Sequence, residues 1–216
     1  MKNYKKNLEL LTRNHVYSKE MEHDACGVGL IASTEGKKSR AIVEYGIEAL
    51  KAVWHRGAVD ADGKTGDGAG IHVEIPKDFF IEKIQVTGHD YDNSEICVGM
   101  IFLPRNDYSA QENCKTIVES ELTKNNFSIY GWRQVPVNPK VLGEKALQTM
   151  PEIIQVLFKS NDSNLLDKDL ERKIYETRKR IENKAFEASL NNFYICSISS
   201  KSIIYKGLYL AEAISD

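Results

Sequence analysis

The sequence predicts an α+β fold in which sheets and helices stack in layers. Its 216 residues are enough for one large domain or two small ones, and a composition of 42% hydrophobic and 28% charged residues is typical of globular proteins. Segments with strand-like apolar patterns occur in both halves of the chain, separated by segments with helical periodicity. Runs of strands separated by runs of helices favour stacked layers over a doubly wound parallel sheet.

The first half of the chain contains two predicted strands and two predicted helices. Residues 26–33 have the apolar pattern of a buried strand. Ser39 is predicted to cap a helix that continues to about residue 55, because the apolar residues in between follow helical spacing. A polar, glycine-rich loop follows over residues 56–70. A short strand over 71–75 then leads into a helix that Pro76 opens.

The second half repeats the mixture. Strands are predicted over residues 96–103, 127–135, 152–158, 193–199 and 202–205. Helices are predicted over 107–124 and 167–190, and the second has the clearer apolar stripe together with supporting charge pairs four residues apart. The last two strands are predicted to be joined by a tight turn.

Charge and hydropathy exclude several classes of protein. A formal net charge of −2 gives no electrostatic basis for binding nucleic acid or an anionic membrane surface. The longest apolar run, residues 96–104, is about half as long as a membrane-spanning helix. The amino terminus lacks the apolar core of a secretory signal. We therefore expect a cytoplasmic protein, or a plastid one if the source is photosynthetic, with reduced cysteines.

The glycine-rich loop fails the common ligand-binding motifs. Gly63-Lys64-Thr65 lacks the correctly spaced first glycine of a phosphate-binding loop. Lys64 stands where a calcium loop needs its third ligand. In the segment 65–70 the third glycine has the wrong offset for a dinucleotide fingerprint. Taken alone, the loop is also compatible with a surface loop whose glycines form turns.

The four cysteines are widely separated and form no CxxC pair or zinc-type cluster, so no metal site is predicted. Cys97 and Cys196 lie in apolar strand-like runs, where a thiol is a small core residue. Cys26 differs, because it precedes a glycine-rich segment that a ligand could approach.

Three ordered motifs resemble the start of the class II glutamine amidotransferase domain found in the glutamate synthase large-subunit family. They are HDACGVG at 23–29, WHRGA at 54–58 and TGDGAGI at 65–71. Downstream, PEIIQVLF at 151–158, YETRKRIE at 175–182 and FYICSISSKSIIYKG at 193–207 agree as well. The resemblance therefore covers most of the chain from residue 26 to residue 207.

The resemblance implies an N-terminal nucleophile hydrolase with a four-layer α/β/β/α sandwich. Residues 1–25 would be a propeptide or leader, and residues 26–216 the N-terminal part of the amidotransferase domain. Cys26 would be the nucleophile that attacks L-glutamine. Arg56, Gly57 and Asp67 would organise the site or bind substrate, Arg56 electrostatically and Asp67 as part of the pocket wall. For His55, a structural role is favoured over a catalytic one.

The chemistry explains why such a cysteine must be terminal. A free thiol has a pKa of about 8.5 and a free α-amine one of about 7.7–8.0, so the two groups of one residue can exchange a proton near neutrality. While Ala25 and Cys26 are joined, the nitrogen is an amide and cannot act as a base.

One feature departs from the family pattern. The resemblance implies an Asn-Gly pair for the oxyanion hole and an arginine for the glutamine carboxylate, both beyond the last strand here, and the sequence contains no Asn-Gly dipeptide. We therefore expect a domain truncated at its carboxyl side, with an exposed strand edge. The parent is expected to bind FMN and an iron–sulfur cluster outside this chain, to use a synthase domain as partner, and to accept electrons from a further subunit or ferredoxin.

Two other interpretations stay open at the level of the sequence. One is a different class II glutamine amidotransferase, against which the TGDGAG loop and the YKG strand argue. The other is a non-catalytic relative that keeps the sandwich without the chemistry, which the missing Asn-Gly pair allows.

Overall fold

A computed structural model describes residues 6–7, 9–10, 27–53, 58–165 and 167–215. Cys26, Arg56 and Gly57 lie outside the described residues. Within these ranges the longer helices are α1 (Arg40–Ala52), α2 (Lys77–Val86), α3 (Tyr108–Lys124), α4 (Glu144–Thr149) and α5 (Asp167–Glu187). The strands are β1 (Ala69–Glu74), β2 (Cys97–Leu103), β3 (Phe127–Gln134), β4 (Glu152–Ser160), β5 (Tyr194–Ser199) and β6 (Ser202–Gly207). Short 3₁₀ helices occur at Pro139–Val141 and Ala211–Ser215.

Local capping sets where the helices begin. The Ser39 hydroxyl accepts a hydrogen bond from the Ala41 backbone N–H at 3.2 Å, so α1 begins where its cap predicts. The Asp107 carboxylate accepts one from the Ala110 N–H at 2.9 Å and starts α3 in the same way. Pro76 precedes the first residue of α2, as predicted.

The strands form two antiparallel sheets. One has four strands in the order β3-β4-β2-β5, and the other pairs β1 with β6 from Ala69 opposite Gly207 to Glu74 opposite Ser202. The tight turn at Ser200 and Lys201 joins β5 to β6. Because these two consecutive strands belong to different sheets, the turn brings the two-stranded sheet against the four-stranded one.

Two apolar cores lie on opposite faces of the four-stranded sheet. One core joins the sheet to α3 and α5, and its fully buried residues include Leu122, Phe158 and Ile181. The other lies between the sheet, α2 and the two-stranded sheet, and it includes Phe80 and Ile203. Helix α1 contacts β1, with the position of Gly46 close to the Ile71 side chain.

The predicted α+β sandwich class is confirmed by this arrangement of antiparallel sheets and helices. Ten of the eleven predicted elements are present within a few residues of their expected bounds, and α4 was not predicted. Among the described residues, no helix combines the length and the apolar character needed to cross a membrane.

The predicted strand over 26–33 is wrong for the residues that the structure describes. Residues 27–33 are assigned to neither helix nor strand, and the side chains of Val28 and Leu30 are 93% and 88% exposed. A strand needs a hydrogen-bonded neighbour, and in the described part of the chain no segment pairs with this one. The apolar pattern alone was therefore not sufficient to predict a strand here.

Candidate active site

The structure describes only one of the four predicted site residues. Cys26, Arg56 and Gly57 are outside the described ranges, so their side chains are not placed. Asp67 is placed, in the loop that connects residue 58 to β1. The geometry of the site is therefore the geometry of this loop and of the surfaces that it contacts.

Asp67 pairs the two ends of the loop. Its carboxylate Oδ2 accepts a hydrogen bond from the Ala58 N–H at 2.9 Å, and its own N–H donates to the Ala58 carbonyl at 3.2 Å. Val59 and Gly66 form an antiparallel bridge next to this pair. Since Ala58 follows Gly57 directly in the sequence, Asp67 holds the backbone next to the predicted site residues Arg56 and Gly57.

The loop also packs tightly against the residues after β6. A Cβ on Gly66 would lie 2.8 Å from the Tyr209 carbonyl oxygen, closer than side-chain atoms approach. Gly66 is therefore needed for close backbone packing. This explains Gly66 without a bound dinucleotide, in agreement with the failed dinucleotide fingerprint over residues 65–70.

A second carboxylate shapes the tip of the loop. Asp62 accepts hydrogen bonds from the Lys64 N–H at 2.9 Å, from the Thr65 N–H at 2.7 Å and from the Thr65 hydroxyl at 2.6 Å. These hydrogen bonds hold the pKa of the Asp62 carboxyl well below its usual range, and the one from the Thr65 hydroxyl has the largest effect.

The structural role of Asp62 was not predicted from the sequence. The signal that could have found it is the spacing Asp-x-x-Thr, which is typical of a side-chain-capped turn. No group of three His, Cys, Asp or Glu side chains in the described ranges could hold a metal ion. The three described cysteines, Cys97, Cys114 and Cys196, are buried in three separate elements, β2, α3 and β5. They therefore do not form the ligand set of an iron–sulfur cluster.

The three described cysteines are also poor nucleophiles. Burial raises the pKa of Cys114 to about 11, and it raises the pKa of Cys97 and of Cys196 as well. All three side chains are at most 5% exposed, so their predicted role as core residues is confirmed for Cys97 and Cys196.

A wide, open cleft adjoins the loop. It measures about 3590 Å³, and its walls include residues 27–31, Asp67, β1 and residues 204–214. Pockets for small ligands usually measure about 300–1,000 Å³, so one part of this cleft is enough for an amino-acid substrate. The segment that follows Cys26 and the Asp67 loop thus line the same cleft.

These features define an α+β sandwich with a glycine-rich loop beside the segment that follows a candidate cysteine nucleophile. The family model described as glutamine amidotransferases class-II matches residues 26–216, so the chain belongs to the class II glutamine amidotransferase family. The match begins at Cys26 itself.

Within that family the chain is similar to glutamate synthases. It is 52% identical over 212 residues to the glutamate synthase [NADPH] large chain of Azospirillum brasilense. The aligned region covers 98% of this chain and 14% of that protein. It is 40% identical to ferredoxin-dependent glutamate synthase 1 of Arabidopsis thaliana, covering 89% of this chain and 12% of that protein. For ferredoxin-dependent glutamate synthase 2 of a Synechocystis strain the identity is 38%, over 87% of this chain and 12% of that protein. The chain thus spans about a seventh or less of the length of these relatives.

Proposed function

We propose that this chain is the glutaminase part of a glutamate synthase, which hydrolyses L-glutamine to glutamate and ammonia. The observation that carries the proposal is the family match, which starts at Cys26 and includes the loop of Asp67. The relatives named glutamate synthase, at 38–52% identity, support this type over other amidotransferases.

In the proposed reaction the Cys26 thiolate attacks the carbonyl carbon of the glutamine side-chain amide. A carbon–sulfur bond forms, and the tetrahedral intermediate collapses by breaking its carbon–nitrogen bond. The departing nitrogen takes a proton and leaves as ammonia, so a thioester remains. Water then attacks the thioester, releases glutamate and returns the proton to the thiol.

The α-amine of Cys26 is the proposed base. It accepts the thiol proton before the attack and donates a proton to the departing ammonia. This role requires that the bond between Ala25 and Cys26 be cut, so we propose residues 1–25 as a propeptide or leader. The start of the family match at residue 26 supports that boundary.

Arg56, Gly57 and Asp67 are the proposed organising residues. Arg56 supplies a positive charge for the substrate or for the new amino terminus, and its planar guanidinium suits a carboxylate. Asp67 acts through the backbone, because its hydrogen bonds to Ala58 fix the chain two residues after Arg56.

The wider protein would use the ammonia. We propose that a synthase domain transfers it to 2-oxoglutarate with electrons from a further subunit or from ferredoxin, as the names of the NADPH- and ferredoxin-dependent relatives suggest. FMN and an iron–sulfur cluster would serve that domain, since the described cysteines do not fit a cluster. The compartment would be the cytoplasm or a plastid, and chloroplastic relatives support the second for a photosynthetic source.

The test is labelling of the protein, at the length that its gene encodes, with a diazoketone analogue of glutamine, followed by peptide mapping. We expect a single label on Cys26, because burial raises the pKa of the thiols of Cys97, Cys114 and Cys196. Cys26→Ser should remove both the label and glutamine hydrolysis. The matched control Cys114→Ser should keep both. A label on another cysteine with Cys26 unmodified would contradict the proposal.

A further inference from the structure

The tip of the site loop is fastened to a distant helix. The Thr65 hydroxyl donates to Asp62 at 2.6 Å and accepts from the backbone N–H of Ala146 at 3.3 Å. Asp62 in turn accepts a long hydrogen bond of 3.4 Å from the Lys145 N–H. Both acceptors thus contact the first turn of α4, about eighty residues further along the chain. Thr65 is only 7% exposed and Ala146 is also buried, whereas Asp62 and Lys145 lie on the exposed side of this junction.

Gly143 makes this contact possible. Its φ of −74° and ψ of 164° are available to any residue, so backbone conformation does not require a glycine here. Space does require it, because a Cβ would overlap Asp62 Oδ2 and Thr65 Oγ1 and would lie 2.6 Å from the Thr65 nitrogen. We call Asp62, Thr65 and Gly143, with the first turn of α4, the Asp62 clamp.

The clamp is connected to the site by consecutive backbone contacts. The Asp60 N–H donates to the Thr65 carbonyl at 2.8 Å, Val59 bridges to Gly66, and Ala58 pairs with Asp67. Each step lies one residue closer in the sequence to Gly57. A displacement of Thr65 therefore moves the backbone at Ala58, which is two residues from Arg56.

The surface ion pair beside the clamp is a lesser contribution. Lys145 Nζ lies 2.6 Å from Asp60 Oδ2, but the Lys145 side chain is 71% exposed. Exposed pairs of this kind contribute little to stability. The position of the tip of the loop therefore depends on the hydrogen bonds of Asp62 and Thr65 and on the space at Gly143.

We infer that the Asp62 clamp positions the backbone of residues 58–67, which carries Asp67, for glutamine binding, with Asp62 and Thr65 as positioning residues rather than catalytic ones. The inference rests on the proposed glutaminase function and deepens it. It identifies helix α4, which none of the sequence motifs includes, as part of the support of the site.

The test compares Gly143→Ala with Gly46→Ala in the protein at the length that its gene encodes. Position 46 is the matched control, because it lies in α1 and a Cβ there meets only the Ile71 side chain, at 3.5 Å. The measurements are kcat and KM for glutamine hydrolysis at 25 °C, together with the Tm. We expect Gly143→Ala to lower kcat/KM by about tenfold to a hundredfold, mainly through KM, as a displacement of about 1 Å in a site can. Gly46→Ala should change it by less than about twofold.

A second pair of variants covers the case in which Gly143→Ala fails to fold. Thr65→Val keeps the shape and removes the hydroxyl, whereas Thr65→Ser keeps the hydroxyl. We expect Thr65→Val to raise KM as Gly143→Ala does, and Thr65→Ser to retain most of the wild-type value. If the folded variants lower Tm but leave kcat and KM unchanged, the clamp is only structural and the inference is overturned, while the proposed function stands. If the wild-type protein does not hydrolyse glutamine, the proposed function itself fails.

Discussion

The two sheets of this chain are packed in different ways. The four-stranded sheet is covered by α3 and α5, each of which contributes five buried residues, and residues 97–101 of its strand β2 are all buried. In the two-stranded sheet, β1 alternates between half-buried and exposed residues, and α1 beside it has no buried residue. The candidate site loop and residues 27–31 adjoin this second, less covered region. Stability and the candidate site are thus concentrated in different parts of the molecule, a common division between scaffold and functional loops.

The largest expected difference between the regions is the cost of truncating an apolar side chain. Phe158 is fully buried and packs edge-to-face with Phe127 at a centroid distance of 5.3 Å. Phe158→Ala should lower the free energy of unfolding by about 3–5 kcal/mol through lost burial and a cavity. Ile47→Ala in α1 should cost no more than about 1.5 kcal/mol, because Ile47 is only half-buried.

Urea unfolding followed by far-UV circular dichroism measures both costs. Equal losses for the two variants would show that α1 is packed as firmly as the four-stranded core. The contrast between the regions would then have to be abandoned.

The second prediction concerns the turn that connects the two sheets. Glu171 in α5 accepts hydrogen bonds from the Ser200 N–H and hydroxyl, both at 2.7 Å, and from the Ser199 hydroxyl. Ser200 is 2% exposed, so loss of the carboxylate leaves buried donors without this partner. Glu171→Ala should therefore lower the free energy of unfolding by about 1.5–3 kcal/mol.

The control for this prediction is Glu176→Ala, an exposed position on the same helix, which should change stability by less than about 0.5 kcal/mol. Hydrogen exchange of the amides in β6 gives a second measurement. If Glu171→Ala accelerates amide exchange, relative to wild type, more in β6 than in β4, the turn holds the less covered sheet against the core. Uniform acceleration would instead indicate a global effect.

Much of the fold was predictable from local signals. Helices α1 and α3 begin at the caps that Ser39 and Asp107 provide, and α2 begins after Pro76, because these side chains act on neighbouring backbone groups. Strands β2, β4 and β5 of the four-stranded sheet were predictable because their largely apolar runs need burial.

The sequence could not predict contacts between distant segments. Nothing local shows that β5 and β6 belong to different sheets, or that Gly143 leaves room for Asp62 and Thr65. The apolar run after Cys26 predicted a strand that the described residues do not form, because a strand depends on a partner. At the site, Cys26, Arg56 and Gly57 stay predictions, and for Asp67 the structure adds backbone partners that its motif did not indicate.

The smallest predicted effect is a pH dependence that separates the loop from the core. Hydrogen bonds, above all from the Thr65 hydroxyl, lower the pKa of Asp62 in the folded state, whereas an unfolded aspartate has a pKa of about 3.9. A lowered folded-state pKa stabilises the protein above the unfolded value, and this contribution is lost as the pH falls through the folded one. Asp62→Asn does not titrate, so it should be less stable than wild type at pH 7, by a difference that narrows below about pH 4. Tm measured from pH 7 to pH 3 tests this, with the exposed Asp90→Asn as a control for the change in net charge. A constant difference across that range would mean that the loop is held by packing at Gly143 rather than by the ionised carboxylate.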